Sequence, residues 1–452
     1  MDVLEKKSFY KELAALAVPL ALQALLHALV GATDALMLGR LNQESVAAVA
    51  LANQVSFVMS LFNGAITGAF GVLIAQYYGK GDRENAKRFM SMAIRYAFGI
   101  SAVFFLPAIL IPERLMRIFT PEPELIRIGA SYLKIVGFSY VFSGISQVYL
   151  MMMKIGGRAK ISVWISAVTV AVDMAADFFL IYGVGRLPAL GADGAAYSTV
   201  VVESVALLWC LLEAGRKDHI RPDRKSLFFF SKQCEADVWR IAPSMLASSL
   251  SWGLSISVHS LIMGHLGTDA TAAASVTAVA RQLIQCFVHG LSGGAGVMIG
   301  GLLGRNELEK AKRYGRRFWS VATFAGLLSV AVLAIVGPLV TAFYLLEPTA
   351  KAYLIRMLVF SALYVFAYSY NTIIVCGVFP AGGDAKYDAV SVFFATWCFA
   401  IPLSLLGCFV FRWPVMLIYI VMCADEIVKV PFIIPRYKKY LWVKNLTVET
   451  GE

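Results

Sequence analysis

Apolar stretches of roughly 20 residues follow one another along the whole chain, broken by short clusters of charge and by glycine and proline turns. A helix crossing a hydrocarbon core needs about that length, so the pattern predicts an all-α polytopic membrane protein. Reading the breaks gives about twelve transmembrane helices, at 13–38, 46–78, 92–112, 125–153, 161–182, 193–214, 239–264, 270–303, 318–345, 350–378, 388–411 and 414–435. Composition agrees: hydrophobic residues fill 59% of 452 positions and charged residues 15%.

The pattern is also duplicated. The segment from Val18-Pro19 to Lys87-Arg88 returns about 225 residues later as Ala242-Pro243 to Lys312-Arg313, with Leu36, Gly39, Leu41, Ala47, Ala48, Gly71, Val72, Ile74, Gly79 and Ala86 matching Leu261, Gly264, Leu266, Ala272, Ala273, Gly296, Val297, Ile299, Gly304 and Ala311. A weaker match sets Gly157-Arg158-Ala159-Lys160 against Gly383-Asp384-Ala385-Lys386 at an offset of 226. Six spans per half is an even number, so equivalent helices run in the same direction and the repeats are parallel, related by an axis along the membrane normal. The expected organisation is an amino-terminal six-helix bundle (1–214), a polar cytoplasmic linker containing Pro222 (215–238), and a carboxyl-terminal six-helix bundle with a short cytoplasmic tail (239–452). Such duplication points to a transporter with its substrate site between two repeats near the bilayer midplane.

Charge sets an orientation. With a cytoplasmic amino terminus, the inner loops hold Lys6, Lys7 and Lys11; Lys80, Arg83, Lys87 and Arg88; Lys154, Arg158 and Lys160; Arg216 to Lys232; Arg305 to Arg317; Lys386; and Arg436 to Lys444. The outer loops keep mainly Arg40, Arg114, Arg117, Arg186, Lys351 and Arg412. This asymmetry predicts a multi-pass protein of the cell membrane with both termini in the cytoplasm. The net charge of +11 is thereby topological, with membrane lipid as partner and no nucleic acid. The seven cysteines form no CxxC pair, and six fall in spans, which argues against disulfides and structural zinc. No cofactor is expected, and the charged first ten residues carry no cleavage site.

Several runs, taken in order, resemble one family. They are Pro19-Leu-Ala-Leu-Gln23, Asp34-Ala-Leu-Met-Leu-Gly39-Arg40-Leu41, Ala47 to Gln54, Ala75-Gln-Tyr-Tyr-Gly79 with Ala86-Lys87, and Ile181-Tyr-Gly183 followed by Pro188-Ala-Leu-Gly191 and Gly194-Ala-Ala-Tyr-Ser-Thr199. Together they resemble the multidrug and toxic compound extrusion (MATE) transporters over essentially the whole chain. The resemblance implies a V-shaped pair of pseudo-symmetric bundles and a monomer that exports small organic, often cationic, compounds by antiport against H⁺ or Na⁺.

Ionisable residues inside spans cost a few kcal/mol on insertion scales, which makes each a functional candidate. Asp34 stands fifteen residues after Pro19 and matches the acid that MATE proteins carry there for cation coupling; the structural alternative is a snorkelling or capping carboxylate. Asp173 and Asp177 sit at i, i+4 on the fifth span, on one helix face. Like charges so placed invite a shared proton or a bound cation. The family commonly has Asn first in that pair, so Asp173 departs from its pattern. Asp34, Asp173, Asp177, Thr199 and backbone carbonyls could supply oxygens to sodium, whereas proton coupling needs only a carboxylate; the spacing leaves both open.

Other polar residues are expected at a substrate cavity: Asn53, Gln54, Tyr140, Glu203, His259 and Arg281. His259 occupies the position equivalent to Asp34. No acid occurs between Pro243 and Gly264, where many relatives carry a glutamate, and Ser248, Ser249 and Ser251 stand there instead. Arg281, with Gln282 and Gln285, either meets an anionic part of a substrate or pairs with an acid. Asp425, Glu426 and Lys429 can satisfy one another within the last span. Pro19 and Pro243, being equivalent, are candidate gate hinges.

The chain is not expected to be an enzyme: it has no HExxH, Walker loop or GxSxG. Nothing resembles a channel filter. The rival readings are a lipid-linked precursor flippase of the same superfamily, which would carry more basic residues than Arg281 in its cavity, and a narrow-specificity metabolite exporter.

Overall fold

A computed structural model describes residues 3–183, 188–216, 220, 222–228, 231–344 and 346–447. Arg186, assigned above to an outer loop, and positions 217–219, 221, 229 and 230 of the linker lie outside the described residues. Among the described residues there is helix and no strand. The elements are α1 (Val3–Gly39), α2 (Gln43–Lys80), α3 (Arg83–Leu110), α4 (Pro112–Phe119), α5 (Pro123–Ile155), α6 (Ala159–Tyr182), α7 (Ala192–Ala214), α8 (Arg224–Leu227), α9 (Lys232–His265), α10 (Thr268–Gly304), α11 (Leu308–Phe343) and α12 (Pro348–Tyr370). After α12 a π-helical stretch, Asn371–Val378, leads into α13 (Phe379–Ala381). Then α14 (Ala385–Phe393) passes through π-helical Phe394–Ala400 into α15 (Ile401–Leu405) and π-helical Leu406–Val410, before α16 (Val415–Lys438).

Among the described residues, eleven helices are long and apolar enough to cross a membrane. The last expected span, α16, is 24 residues long but carries Asp425, Glu426 and Lys429 in its middle. Their charge is settled inside the protein: Lys429 Nζ meets Glu426 Oε1 at 2.8 Å, and the Asn371 side-chain amide donates to Glu426. Large apolar side chains face outward on the long helices, among them Val103, Leu110, Phe324, Ile335 and Val359. In water that would be an aggregation hazard; against lipid it is the favourable arrangement.

Compactness divides the chain into two units. The amino-terminal unit is Gln23–Ile74 with Asp82–Val238, and the carboxyl-terminal unit is Met1–Leu22, Ala75–Gly81 and Trp239–Glu452. Pro19 lies inside α1, shortly before that helix passes from one unit to the other. The amino-terminal core gathers Leu38, Ala52, Leu133, Tyr140, Ile181 and Ala196; the other gathers Ile262, Ala273, Leu354, Leu358, Ile418 and Tyr419.

The repeat is written into the backbone. Gly81 has φ +84° and Asn306, 225 positions on, has φ +61°; both turn the chain from a long helix into the next, and Gly and Asn are the residues that tolerate this left-handed geometry. Gly157 and Gly383 repeat the match, at φ +74° and +79°. Pro123 and Pro348 both start their helices, each after a glutamate. Within the carboxyl-terminal unit, the end of α2 crosses the end of α10 so closely that a Cβ on Gly79 would overlap the Gly301 backbone, and one on Gly304 would overlap the Gln76 carbonyl. Since 76 and 301, like 79 and 304, are equivalent positions, this is a local two-fold contact. Gln76, fully buried, secures it by donating to the Ala381 carbonyl (2.6 Å) and accepting from Leu446 N–H (2.6 Å).

Candidate functional site

Helix periodicity builds a cavity of about 330 Å³ inside the amino-terminal unit. On α5, Tyr132, Ser139, Ser143, Ser146 and Gln147 recur at helical spacing and form one polar stripe; α6 adds Ser166, Thr169 and Asp173, α7 adds Thr199 and Glu203, α1 adds His27 and Asp34, and α2 adds Asn53 and Ser56. The polar lining is braced from behind: Tyr132 Oη donates to Asn53 Oδ1 at 3.3 Å, Ser56 Oγ donates to Tyr140 Oη at 3.1 Å, and Gln23 Nε2 donates to Ser166 Oγ at 2.8 Å.

Two acids, Asp34 and Asp173, line this cavity, and Asp177 joins them. Asp34 on α1 and Asp173 and Asp177 on α6 each present a carboxylate oxygen, and these oxygens lie within 4.8 Å of one another. Asp173 and Asp177 are buried, at 5% and 2% exposure. Ser198 Oγ donates to Asp173 Oδ1 at 3.2 Å, while Asp34 Oδ1 is buried with no hydrogen-bond partner. Two full negative charges at 4.8 Å repel by about 3.5 kcal/mol at an effective dielectric of ~20. Three such groups hold together only with protons or a cation among them. A sodium ion fits the spacing of the three carboxylates, and Asp34, Asp173 and Asp177 would hold it. Thr199 lines the same cavity, and its hydroxyl donates to the Ala195 carbonyl at 3.0 Å, which leaves the oxygen lone pairs for a cation.

A second cavity of about 240 Å³ lies inside the carboxyl-terminal unit. Arg281 from α10 enters it with its guanidinium carbon 4.5 Å from the Tyr364 ring centre and 6.0 Å from that of Tyr419, and Nη1 donates to Cys423 Sγ at 3.6 Å. No ion pair to Arg281 is found among the described residues. His259 Nε2 is buried in the same wall without a hydrogen-bond partner. The two cavities are equivalent places in the two repeats. His27, Val30, Asp34, Asn53, Ser56 and Ser139 line the first, and the residues 225 positions on, Trp252, Ser255, His259, Ala278, Arg281 and Tyr364, line the second.

The substrate residues expected from sequence thus divide between two cavities: Asn53, Tyr140 and Glu203 line one, and His259 and Arg281 the other. Gln54 lines neither of these two; adjacent residues point about 100° apart around a helix, and Asn53 takes the inward position. Pro243 lies exposed within α9 and Pro19 buried within α1. His289 is a hydrogen-bonded packing residue, its Nε2 3.0 Å from Tyr368 Oη. Sequence reasoning passed over His27, a helical seven residues before Asp34, and the α5 stripe, both visible as periodicity. It also missed Asp388, a buried carboxylate that accepts from Ser248 Oγ at 2.7 Å. Asp388 follows the polar Gly382 to Lys386 turn, at the very start of the span expected over 388–411, where a carboxylate reads as an interfacial end residue.

A family model described as MatE matches residues 19–179 and 243–406, so that each matched segment begins at one of the two equivalent prolines. The uncharacterized transporter YisQ of Bacillus subtilis is 23% identical over 433 residues, covering 94% of either chain. The multidrug resistance protein PmpM of Pseudomonas aeruginosa is 23% identical over 87% of this chain and 83% of its own. Among solved structures, an outward-facing multidrug resistance MATE transporter of the MOP superfamily superposes with a TM-score of 0.86 at 16% identity, over 97% of this chain and 96% of that one. The Vibrio cholerae MATE transporter VcmN, in mutant form, gives 0.86 at 18% identity, over 98% and 99%. These likenesses concern the fold.

Proposed function

Because the chain belongs to the MatE family of membrane transporters, we propose that it is a secondary-active antiporter that exports organic cations in exchange for protons, with Asp34, Asp173 and Asp177 as the coupling groups. The observation that carries this reading is the meeting of those three carboxylates within 4.8 Å, two of them, Asp34 and Asp173, on the cavity wall. When they are deprotonated, the cavity attracts a cation; when protons or a metal cation neutralise them, that attraction is lost. Ion and substrate then disfavour each other's binding, which is the reciprocal coupling an exchanger requires. Tyr132, Tyr140, Asn53 and Glu203 shape the remaining wall. The relatives named for multidrug resistance support export of varied compounds. The Lys and Arg distribution supports a cell-membrane orientation with both termini in the cytoplasm, and the chain is taken to work as a monomer.

Proteoliposomes test it. Uptake or release of a fluorescent organic cation should follow an imposed pH gradient, and Asp34→Asn or Asp177→Asn should cut the rate at least about tenfold, as loss of a charged contact worth ~1.5–3 kcal/mol would. Transport driven by a sodium gradient alone would replace the proton with sodium at the same three acids. Full activity in both Asn variants would overturn the assignment of the site.

A further inference from the structure

The carboxyl-terminal cavity repeats the geometry of the acidic one with the opposite chemistry. At the position of Asp34 it has His259, and at the position of Ser56 it has Arg281. An arginine carried into a membrane bundle ordinarily pairs with an acid. Two acids do line this cavity, Asp425 and Glu426, but each has its own partners. Glu426 is held by Lys429 at 2.8 Å and by the Asn371 amide. Asp425 accepts from Glu426 N–H at 2.7 Å and from Thr396 Oγ1 at 3.4 Å, neutral donors that leave its charge acting on Arg281 in the same cavity, but the two make no ion pair among the described residues. Arg281 is left with Cys423 Sγ and two aromatic faces, so most of its donor fork is turned to the cavity. His259 Nε2 is a second polar atom with nothing to bond. A guanidinium presents parallel N–H donors that match a carboxylate, and the neutral imidazole can add a third.

We propose that this cavity is a binding site for the carboxylate of an aromatic organic acid, held by Arg281 and His259, with its ring against Tyr364, Tyr419 and Trp252. The volume of about 240 Å³ suits one or two fused rings, and the aromatic wall favours a planar group over an aliphatic one. The site stands apart from the acid cluster and does not depend on the antiport reading. A substrate carrying both an amine and an aromatic carboxylate would find complementary charge in this protein for either group.

The test measures binding rather than transport. Purified full-length protein in phosphatidylcholine nanodiscs is dialysed to equilibrium against 2-naphthoate and, separately, against its methyl ester. The acid should bind one per chain, and the ester about 10- to 100-fold more weakly, the range expected for loss of a charge-assisted bond. Arg281→Gln should lose the same factor, while Arg281→Lys should retain part of the affinity, keeping the charge but not the fork. Equal binding of acid and ester by the wild type overturns the proposal without recourse to any variant, as does unchanged binding in Arg281→Gln. Glycerol 3-phosphate is the competing oxyanion: its displacement of naphthoate at equal concentration would mean that a phosphate headgroup, not an aromatic acid, is the occupant. Because no ion gradient is applied, a failure here leaves the antiport reading untouched, and a failure of cation transport leaves this result standing.

Discussion

The two cavities are the same construction with different charge: acids alone in one, an arginine among acids in the other. In the amino-terminal unit the shared positions carry Asp34 and Ser56, and α6 adds two more acids. In the carboxyl-terminal unit they carry His259 and Arg281, beside acids that are already satisfied. Duplication supplies two equivalent hollows lined by equivalent helices; a few substitutions then give each its own ligand chemistry. The backbones diverge as well. All three π-helical stretches described lie in the carboxyl-terminal unit. Pro380 and Pro402 stand just after two of them; a proline lacks the N–H and crowds the preceding turn, which favours the wider helix.

The sharpest way to break the comparison is to exchange effects between cavities. Asp177→Asn should reduce cation export at least about tenfold, whereas Arg281→Gln should leave it within about twofold, because contacts in separate sites act independently. Equal losses in both variants, measured by fluorescent cation efflux, would mean that the two hollows act as one. His259→Asp tests the charge inversion directly. It puts an acid back at the position of Asp34, where it can pair with Arg281, and naphthoate binding should fall about tenfold through that competition. Unaltered affinity would separate His259 from the site.

The local two-fold is tested by stability. Gly304→Ala and Gly79→Ala each drive a Cβ into the backbone of the other repeat and should destabilise by ~1–3 kcal/mol, seen as a lower unfolding midpoint in detergent. Unchanged midpoints would argue that the helix ends do not meet this closely. Gly81→Ala should cost about 1 kcal/mol through its positive φ, while Asn306→Gly at the equivalent turn should be close to neutral.

Much of the candidate site was legible in single helices. The i, i+4 spacing of Asp173 and Asp177 places both on one face, and an acid in the first span stands out against an apolar background. The 225-residue offset already set His259 at the position of Asp34. What failed to read were features without a local signature. Asn53 and Gln54 are equally polar neighbours, and only packing against α5 chooses which faces inward. Asp388 opens a helix after a polar turn, and only the packing of the fold brings Ser248, 140 residues earlier, to meet it. The π stretches depend on backbone bonds to the fifth residue along, which side-chain periodicity does not announce.

The sequence by itself determined the helical class, the approximate positions of the spans, the duplication, and the identity of the acids placed in the membrane. These follow from residue-by-residue costs: apolar length against lipid and charge against a low dielectric. Only the tertiary structure decided that Asp34 on α1 meets the α6 pair within 4.8 Å, and that Arg281 has aromatic rings for neighbours and, among the described residues, no ion pair. Both are distances between side chains on different helices. Such distances are set by how close small residues let the backbones approach and by which rotamers the neighbouring helices leave free, and neither is encoded in the spacing along any one segment.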